Sequence, residues 1–373
     1  MSVRRALFLC LLALLVAAPA ADAAKRKVPR GFFGVMWDRD AANASDAAQE
    51  EQWNLMSSSG VESVRTVFSW ARAQPDPGVT NVVQTDALVA RAARHNQRVL
   101  PVVLWAPDWA RLYPEKPSSP PAREADYAAY LTTLVERYGS DGTFWSEHPE
   151  LPRLPIREWQ IWNEPHIDFY WLTPDGPWAP AYANLLKAAH EAIKAADPAG
   201  KVVVAALADY AWRYLDKIYD QKTKGSFDVV AINFFTVKPR NVLTALRRMR
   251  KVMRANRDGR KQLWLTEVTW PAAKGRDKPQ VRWQKPWIQT DKGMARRVTQ
   301  LYKLLVRHRR EIRLGRVFWY TWSSEYVKGD LFDFGGLVRW RGGFWEATPA
   351  LTAYRKSARR YQGCEKTDVG ACK

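Results

Sequence analysis

The sequence predicts an α/β protein whose strands close into a (β/α)8 barrel, the TIM-barrel class. Short apolar segments alternate with amphipathic helices along the chain, and eight such pairs are present. The apolar segments are continuous hydrophobic runs, which is typical of parallel strands buried on both faces. Eight units in one chain favour a closed barrel over an open sheet, and 373 residues is an ordinary length for one barrel.

Each strand is predicted from a short apolar run that lies between helical or turn-forming segments. In chain order these runs are residues 32–37, 61–68, 99–104, 159–162, 202–207, 229–233, 263–266 and 317–321. Residues 139–155, before the fourth strand, are predicted to form a loop.

The helices are predicted from apolar residues that recur every three or four positions. The clearest spans residues 124–138 and is followed by a glycine, a common helix terminator. The first begins near Ser45 and stops at Gly60, and the last opens at Thr348 with Pro349 in a favoured first position. The others are residues 85–95, 181–196, 212–219, a basic helix around 242–254, and residues 291–309.

Motifs for nucleotide binding are absent from the sequence. No Gly-x-Gly-x-x-Gly turn follows the first strand, and no Gly-x-x-x-x-Gly-Lys loop is present, so these binding classes lose their main support. The five histidines are scattered without a metal-ligand spacing. We therefore predict no metal and no cofactor.

The first 23 residues are predicted to be a secretory signal peptide. Arg4 and Arg5 precede an apolar run over residues 6–18, which is too short to span a bilayer, and small residues at 21–23 supply a cleavage site. The alternative is an uncleaved membrane anchor. No later stretch is apolar enough to cross a membrane, so we expect a secreted or extracytoplasmic bacterial protein.

Cleavage would divide the chain into three predicted parts. These are the signal peptide over residues 1–23, the (β/α)8 domain over residues 24–362, and a tail over residues 363–373. Cys364 and Cys372 are the two cysteines that remain, and in an oxidising compartment we expect them to form a disulfide.

The net charge of +20 suits polyanionic partners such as acidic polysaccharide, teichoic acid or anionic lipid. The alternative is a merely solvated surface, because the basic residues are spread over many helices. The densest cluster is Arg247, Arg248, Arg250, Lys251 and Arg254 on the polar face of the basic helix. We predict no specific nucleic-acid partner.

Two glutamates follow strands on opposite sides of the predicted barrel. Glu164 follows the fourth strand in the segment WNEP, and Glu267 ends the seventh in LWLTE. Active sites of (β/α)8 barrels form at the carboxyl ends of the strands. Glycoside hydrolysis requires two carboxyl groups, one protonated and one ionised, so these glutamates are candidate catalytic residues.

The segment WQIWNEP resembles the strand-four motif of clan A glycoside hydrolases, which are retaining enzymes with (β/α)8 barrels. The order RYG, then FW, then this motif is similar to that of family 39 and related sequences, as is ADP followed by VVV. The segment LWLTE resembles their nucleophile strand. The resemblance extends over most of the predicted mature chain.

The resemblance implies a role for each matching residue. Glu164 corresponds to the acid/base and Glu267 to the nucleophile. Asn163 corresponds to the asparagine that hydrogen-bonds the sugar 2-hydroxyl, and Arg65 to the strand-two arginine that supports the nucleophile. A cation close to Glu267 would keep it ionised, and burial would raise the pKa of Glu164.

Aromatic residues near strand ends are candidates for stacking on sugars, and the chain has 19 tryptophans. The resemblance implies that Trp319 or Trp322 forms the platform under the bound sugar. The other candidate substrate-binding residues are Trp37, Trp105, His166, Asn233 and Glu325.

Strand six departs from the family pattern, which usually places His or Tyr near the nucleophile. Here the strand ends with Asn233, Phe234 and Phe235. Neither phenylalanine can hydrogen-bond Glu267, whereas Asn233 can. The third strand ends in LWAP, without the histidine that many relatives have.

Three classes of function fit the sequence. The first is a retaining glycoside hydrolase that cleaves O-glycosidic bonds of a polysaccharide or oligosaccharide by double displacement, with a transglycosylase as its close variant. The second is a non-catalytic cell-envelope barrel that binds polysaccharide, motivated by strand six and the positive charge. The third is a polyanion-binding envelope protein. The predicted partner is a carbohydrate, with an acidic glycan favoured by the charge; the sugar, the linkage and the oligomeric state stay open.

Overall fold

Eight parallel strands form a closed barrel, and each is hydrogen-bonded to its neighbours in chain order. The computed structural model describes residues 25–37, 45–174, 176–341 and 344–364. The barrel strands are β1 (Phe33–Met36), β2 (Ser63–Ser69), β3 (Arg98–Leu104), β4 (Glu158–Ile161), β5 (Lys201–Val203), β6 (Val229–Asn233), β7 (Gln262–Val268) and β8 (Leu314–Trp319). The (β/α)8 fold class predicted from the sequence is confirmed.

Helices follow the strands and surround the barrel. They are α1 (Asp46–Ser58), α2 (Trp70–Ala73), α3 (Val83–Arg94), α4 (Glu124–Tyr138), α5 (Thr143–Glu147), α6 (Trp178–Ala196), α7 (Ala211–Asp220), α8 (Pro239–Ala255), α9 (Asp291–Ile312) and α10 (Pro349–Gln362). Thr290 and Thr348 cap α9 and α10 by accepting backbone hydrogen bonds from the first turn. Within the described ranges, no helix combines the length and the apolar character needed to cross a bilayer.

The barrel has a small apolar interior and a larger outer core. The interior cluster consists of Leu100, Val203, Ala206, Val229, Ala231, Trp264 and Phe318. Phe318 fits there because its neighbour Gly34 on β1 has no side chain; a Cβ on Gly34 would lie 2.5 Å from the Phe318 ring. The opposite faces of the strands pack against the helices. Since strand side chains alternate, this packing fixes which residues reach the barrel mouth.

Some elements of the barrel differ from the sequence prediction. The predicted loop over residues 139–155 contains α5, a single turn that buries Phe144 and Trp145 and is too short to show a helical period. Strand five ends at Val203 rather than at residue 207, and the chain continues through isolated bridges at Ala206 and Leu207. Strand eight runs from Leu314 to Trp319 instead of over residues 317–321.

A three-stranded sheet follows the barrel and was not predicted from the sequence. It consists of β9 (Ser323–Ser324), β10 (Val338–Arg341) and β11 (Phe344–Ala347), with β10 in the centre. The first of these strands lies four residues after β8, so the sheet extends the carboxyl end of that strand.

The predicted signal peptide over residues 1–23 lies outside the described residues. Cys372 also lies outside them, so its pairing with Cys364 stays a prediction, as do the domain boundaries. Cys364 itself is buried just beyond the end of α10.

Candidate active site

A bulge at the end of β7 brings Glu267 to the barrel mouth. Trp264 lies inside the barrel, so strict alternation would place residue 267 on the outer face. The pairing with β6 shifts here, from Ile232 opposite Leu265 to Asn233 opposite Glu267. The extra residue in β7 reverses the alternation, and the Glu267 carboxylate meets Arg65 on the inner side.

Arg65 on β2 joins three strands through its three guanidinium nitrogens. Nη1 donates to Glu267 Oε1 at 2.6 Å, Nη2 to Asn163 Oδ1 at 2.9 Å, and Nε to Gln160 Oε1 at 2.9 Å. The Arg65 side chain is 1% exposed and that of Glu267 10%. A buried guanidinium in direct contact favours the ionised form of the carboxylate.

Glu164 follows β4 with a backbone that L-residues adopt rarely. Its φ is 43° and that of Trp162 is 65°, in the left-handed region where non-glycine residues are uncommon and often functional. The backbone N–H of Glu164 donates to the carbonyl of Ala206 at 3.0 Å, which fixes this turn against the chain after β5.

The pKa of Glu164 is raised to about 8. Burial is the largest cause, and the negative charges of Glu267 and Asp209 add to it; a hydrogen bond from Asn233 and the charge of Arg65 act in the opposite direction. Glu164 is therefore protonated at neutral pH. The sequence-based expectation that burial raises this pKa agrees with the structure.

The side-chain amide of Asn233 hydrogen-bonds Glu164. Its Nδ2 donates to Glu164 Oε1 at 2.7 Å and lies 3.3 Å from Asn163 Oδ1. The hydroxyl of Thr266 donates to Asn233 Oδ1 at 2.9 Å, so the amide orientation is fixed by its neighbours. The sequence suggested Asn233 as a hydrogen-bond partner of Glu267; the hydrogen bonds of its amide instead go to residues around Glu164.

Three of the tryptophans that were predicted to bind sugar lie in the outer core rather than at the mouth. Trp37 is 1% exposed and Trp319 and Trp322 are both 0% exposed. Their indole N–H groups donate to Ser323 Oγ, to the Gly335 carbonyl and to Gln52 Oε1, respectively. In this structure none of the three presents a free ring face to a sugar.

Trp105 and His166 lie nearer the mouth. Trp105, just after β3, has a φ of 66° and stacks on Tyr170 with ring centroids 5.6 Å apart. His166 stacks on Tyr214 at 4.2 Å, and burial lowers its pKa to about 4, so the ring is neutral. Its Nδ1 has no hydrogen-bond partner within the described residues. Trp105 follows β3 and His166 follows β4, so both residues lie beyond the carboxyl ends of barrel strands.

Glu325 lies one residue beyond β9 and is exposed. Its backbone N–H donates to Asp333 Oδ1 at 3.3 Å. It is therefore on the extension that follows β8 rather than on the barrel itself.

Tyr320 is a mouth residue that the sequence analysis missed. Phe318 lies inside the barrel, so alternation places Trp319 outside and Tyr320 again on the inner side. The Tyr320 ring is half-buried and makes edge contacts with Phe235 and Phe332, each at 6.1 Å. Because side chains alternate along a strand, counting from the inward-pointing Phe318 would have favoured Tyr320 over Trp319 as the aromatic residue at the mouth.

Gln160 is the second residue that was missed. Besides accepting from Arg65, it donates through Nε2 to the Trp162 carbonyl at 2.9 Å. The sequence feature that could have identified Gln160 is its position on β4 in WQIWNEP, four residues before Glu164. In the described part of the chain, no group of three His, Cys, Asp or Glu side chains is arranged to hold a metal ion.

No protein-family model matches this sequence, and no curated protein matches it significantly. Solved structures do match. A family 39 glycoside hydrolase from Bacteroides cellulosilyticus WH2 is 19% identical with a TM-score of 0.65, covering 89% of this chain and 64% of that one. A monomeric beta-xylosidase from Caulobacter crescentus CB15 is 18% identical with a TM-score of 0.61, covering 89% and 69%.

The GH53 catalytic domain of Ignisphaera aggregans is 18% identical with a TM-score of 0.56, and the match covers 90% of this chain and 97% of that one. At these identities the likeness shows the fold. The resemblance to barrels of family 39 and related glycoside hydrolases, expected from the sequence, is confirmed at that level. The chain spans less than two thirds of the length of the Bacteroides protein.

Proposed function

We propose that the chain is a retaining glycoside hydrolase in which Glu164 is the acid/base and Glu267 the nucleophile. The observation that carries this proposal is that two buried carboxyl groups at one barrel mouth lie in opposite electrostatic environments. Arg65 pairs with Glu267 at 2.6 Å, whereas the pKa of Glu164 is raised to about 8. Retaining glycosidases need this division between an ionised and a protonated carboxyl group.

In the first step, the Glu267 carboxylate attacks the anomeric carbon while the bond from that carbon to the leaving oxygen breaks. Glu164 transfers its proton to the leaving oxygen and becomes a carboxylate. The product is a glycosyl ester on Glu267 and a free alcohol. Loss of the proton from Glu164 is assisted by Arg65, whose charge is no longer balanced by ionised Glu267.

In the second step, water attacks the anomeric carbon and the ester bond to Glu267 breaks. The Glu164 carboxylate accepts the proton from this water, which restores both carboxyl groups to their starting states. Two displacements at the same carbon give net retention of configuration. A sugar hydroxyl in place of water would give transglycosylation with the same residues.

Asn233 is a positioning residue in this scheme. Because its amide donates to Glu164 Oε1, the proton of Glu164 is carried by Oε2, which is the oxygen left to face the substrate. Thr266 fixes the amide in the orientation that makes this donation. The altered strand six therefore supports the acid rather than the nucleophile.

The proposal is tested with activated 2-deoxy-2-fluoro glycosides of several sugars, followed by intact-protein mass measurement and peptide mapping. These reagents slow hydrolysis of the glycosyl ester. We expect a mass gain on the peptide that contains Glu267 in the wild type and no gain in Glu267→Gln. A label on another peptide would overturn the assignment of the nucleophile.

The acid/base is tested separately with Glu164→Ala and an aryl glycoside whose leaving group needs no protonation. We expect the first step to proceed and the second to stall, with azide restoring turnover by forming a glycosyl azide of retained configuration. A folded variant without stalling, or an inverted azide product, would contradict the proposal. Glycan binding without turnover by the wild type, unchanged in Glu267→Gln, would instead support the polysaccharide-binding alternative.

A further inference from the structure

Helices α8 and α9 lie side by side and present cationic outer faces. On each helix, three cations recur at spacings of four and then three residues, which places them on one face. The exposed cations are Arg247, Lys251 and Arg254 on α8 and Lys303, Arg307 and Arg310 on α9. Glu311 is the exposed carboxylate that lies among them.

A cleft of about 340 Å³ lies where the two helices meet. We call it the basic cleft. It is lined by Arg247, Arg250, Lys251, Arg254, Glu311 and Ile312.

The cations of the basic cleft have two different roles. Arg250 is buried and donates to the carbonyls of Gly259, Lys261 and Ile312, so it holds the ends of the two helices together. Lys251 makes no ion pair within the described residues, and Arg254 has only a 3.5 Å contact to the Glu311 carbonyl. Lys251 and Arg254 are therefore available to an external anion.

The electrostatic environment of the cleft also favours binding of an external anion. Burial is the largest cause that lowers the pKa of Arg250 to about 10, and the positive charges of Arg313 and Arg254 contribute to this shift. Like charges at this density repel one another, and a bound polyanion relieves the repulsion.

The basic cleft lies away from the catalytic glutamates. Each barrel helix starts near the carboxyl ends of the strands and returns to their amino ends. The last turns of α8 and α9, with Arg254 and Arg310, therefore lie near the starts of β7 and β8. A polymer bound there leaves the mouth with Glu164 and Glu267 open.

We propose that the basic cleft is a docking site for a carboxylated polysaccharide. Glu311 shows that the cleft fits a carboxylate, because Arg247 binds both of its oxygens at 2.7 and 3.0 Å. Large apolar side chains that are well exposed in the described residues lie outside α8 and α9, which disfavours insertion into a membrane. The choice of a polysaccharide rests on the proposed function.

The test measures binding of full-length Glu267→Gln to polygalacturonate, because this variant does not cleave the probe. Lys251→Gln with Arg254→Gln is then compared with a matched control, Arg296→Gln with Lys356→Gln, which removes the same two charge types near the cavity between α9 and α10. Neutral dextran, duplex DNA and vesicles containing an anionic phospholipid are the other probes, each measured at several salt concentrations.

We expect the cleft variant to bind polygalacturonate at least about tenfold more weakly, since two charge-assisted contacts are lost, and the control to change by less than about twofold. Equal weakening of both variants would show a net-charge effect and overturn the site. Tighter binding of DNA or vesicles than of polygalacturonate would overturn the choice of polymer. Because binding is measured in the inactive variant, a failure of the proposed hydrolase activity would not alter these outcomes.

Discussion

Strand β4 carries a buried glutamate at each end, and the two differ in protonation. Glu158 at its start is 8% exposed and Glu164 beyond its end is 7% exposed. Burial alone would raise both pKa values. At Glu158 the charges of Arg316, Lys201 and Arg98 outweigh burial and hold the pKa below its usual value, whereas at Glu164 the pKa is raised.

The difference lies in how many cations face each carboxyl group. Arg316 lies 3.0 Å from Glu158 and forms no ion pair with another carboxylate in the described residues. Among the described residues, the cation that acts on Glu164 is the more distant Arg65, which is already balanced by Glu267. Burial therefore creates a proton donor only where the nearest cation is engaged elsewhere, and this condition is met at the mouth and not at the base of the barrel.

Removing the carboxylate at each end tests whether the chemistry belongs to the mouth alone. We expect Glu267→Gln to reduce kcat/KM on a glycoside substrate by about 10⁴-fold or more, because the covalent route is lost. Glu158→Gln should retain wild-type kcat per folded molecule. Steady-state kinetics with active-site titration check both values, and comparable losses in the two variants would break the comparison.

Glu158→Gln should instead lower the stability of the fold. The substitution leaves the buried Arg316 without its counter-charge, and such a loss costs about 3–5 kcal/mol. Urea unfolding of this variant near pH 7 gives the difference. The pKa of Glu158 is lowered on folding, so its contribution is present above a pH of about 4.5 and is lost as the pH falls below that value.

The pH dependence of activity should follow the protonation of Glu164 at the barrel mouth. Glu164 must be protonated for the first step, so kcat/KM should fall about tenfold per pH unit above a pKa of about 8. Stability should fall as well when the pH rises from about 4.5 to 8, since the folded chain holds this proton and the unfolded chain does not. Unfolding of Glu164→Gln should lack that component.

Substitution of Asn233 should have the smallest effect, which is a shift of the pH profile. Its hydrogen bond lowers the pKa of Glu164, so Asn233→Ala should move the basic limb of the pH profile upward, by up to about one unit. Thr266→Val should move it in the same direction by less. Thr269→Val is the matched control, because this buried hydroxyl has no hydrogen-bond partner in the described residues. An unchanged limb in Asn233→Ala would remove its positioning role.

The sequence was sufficient for the barrel and for the Arg65–Glu267 pair, since apolar runs locate the strands and strand ends locate the mouth. It did not predict places where one extra residue in a strand reverses the direction in which the following side chains point. The bulge near Thr266 cannot be seen in the pattern LWLTEV. The family resemblance led the prediction to Trp319 and Trp322, which are buried outside the barrel, and away from Tyr320.

The buried hydrogen bonds of Arg65 also constrain how the site can change during evolution. A chance substitution of Glu267 alone would leave a buried guanidinium without its counter-charge, and the cost to the fold would be selected against independently of activity. Descendants that lose the nucleophile should therefore be found with Arg65 replaced as well. Among diverged homologues, the two positions should be kept together or lost together.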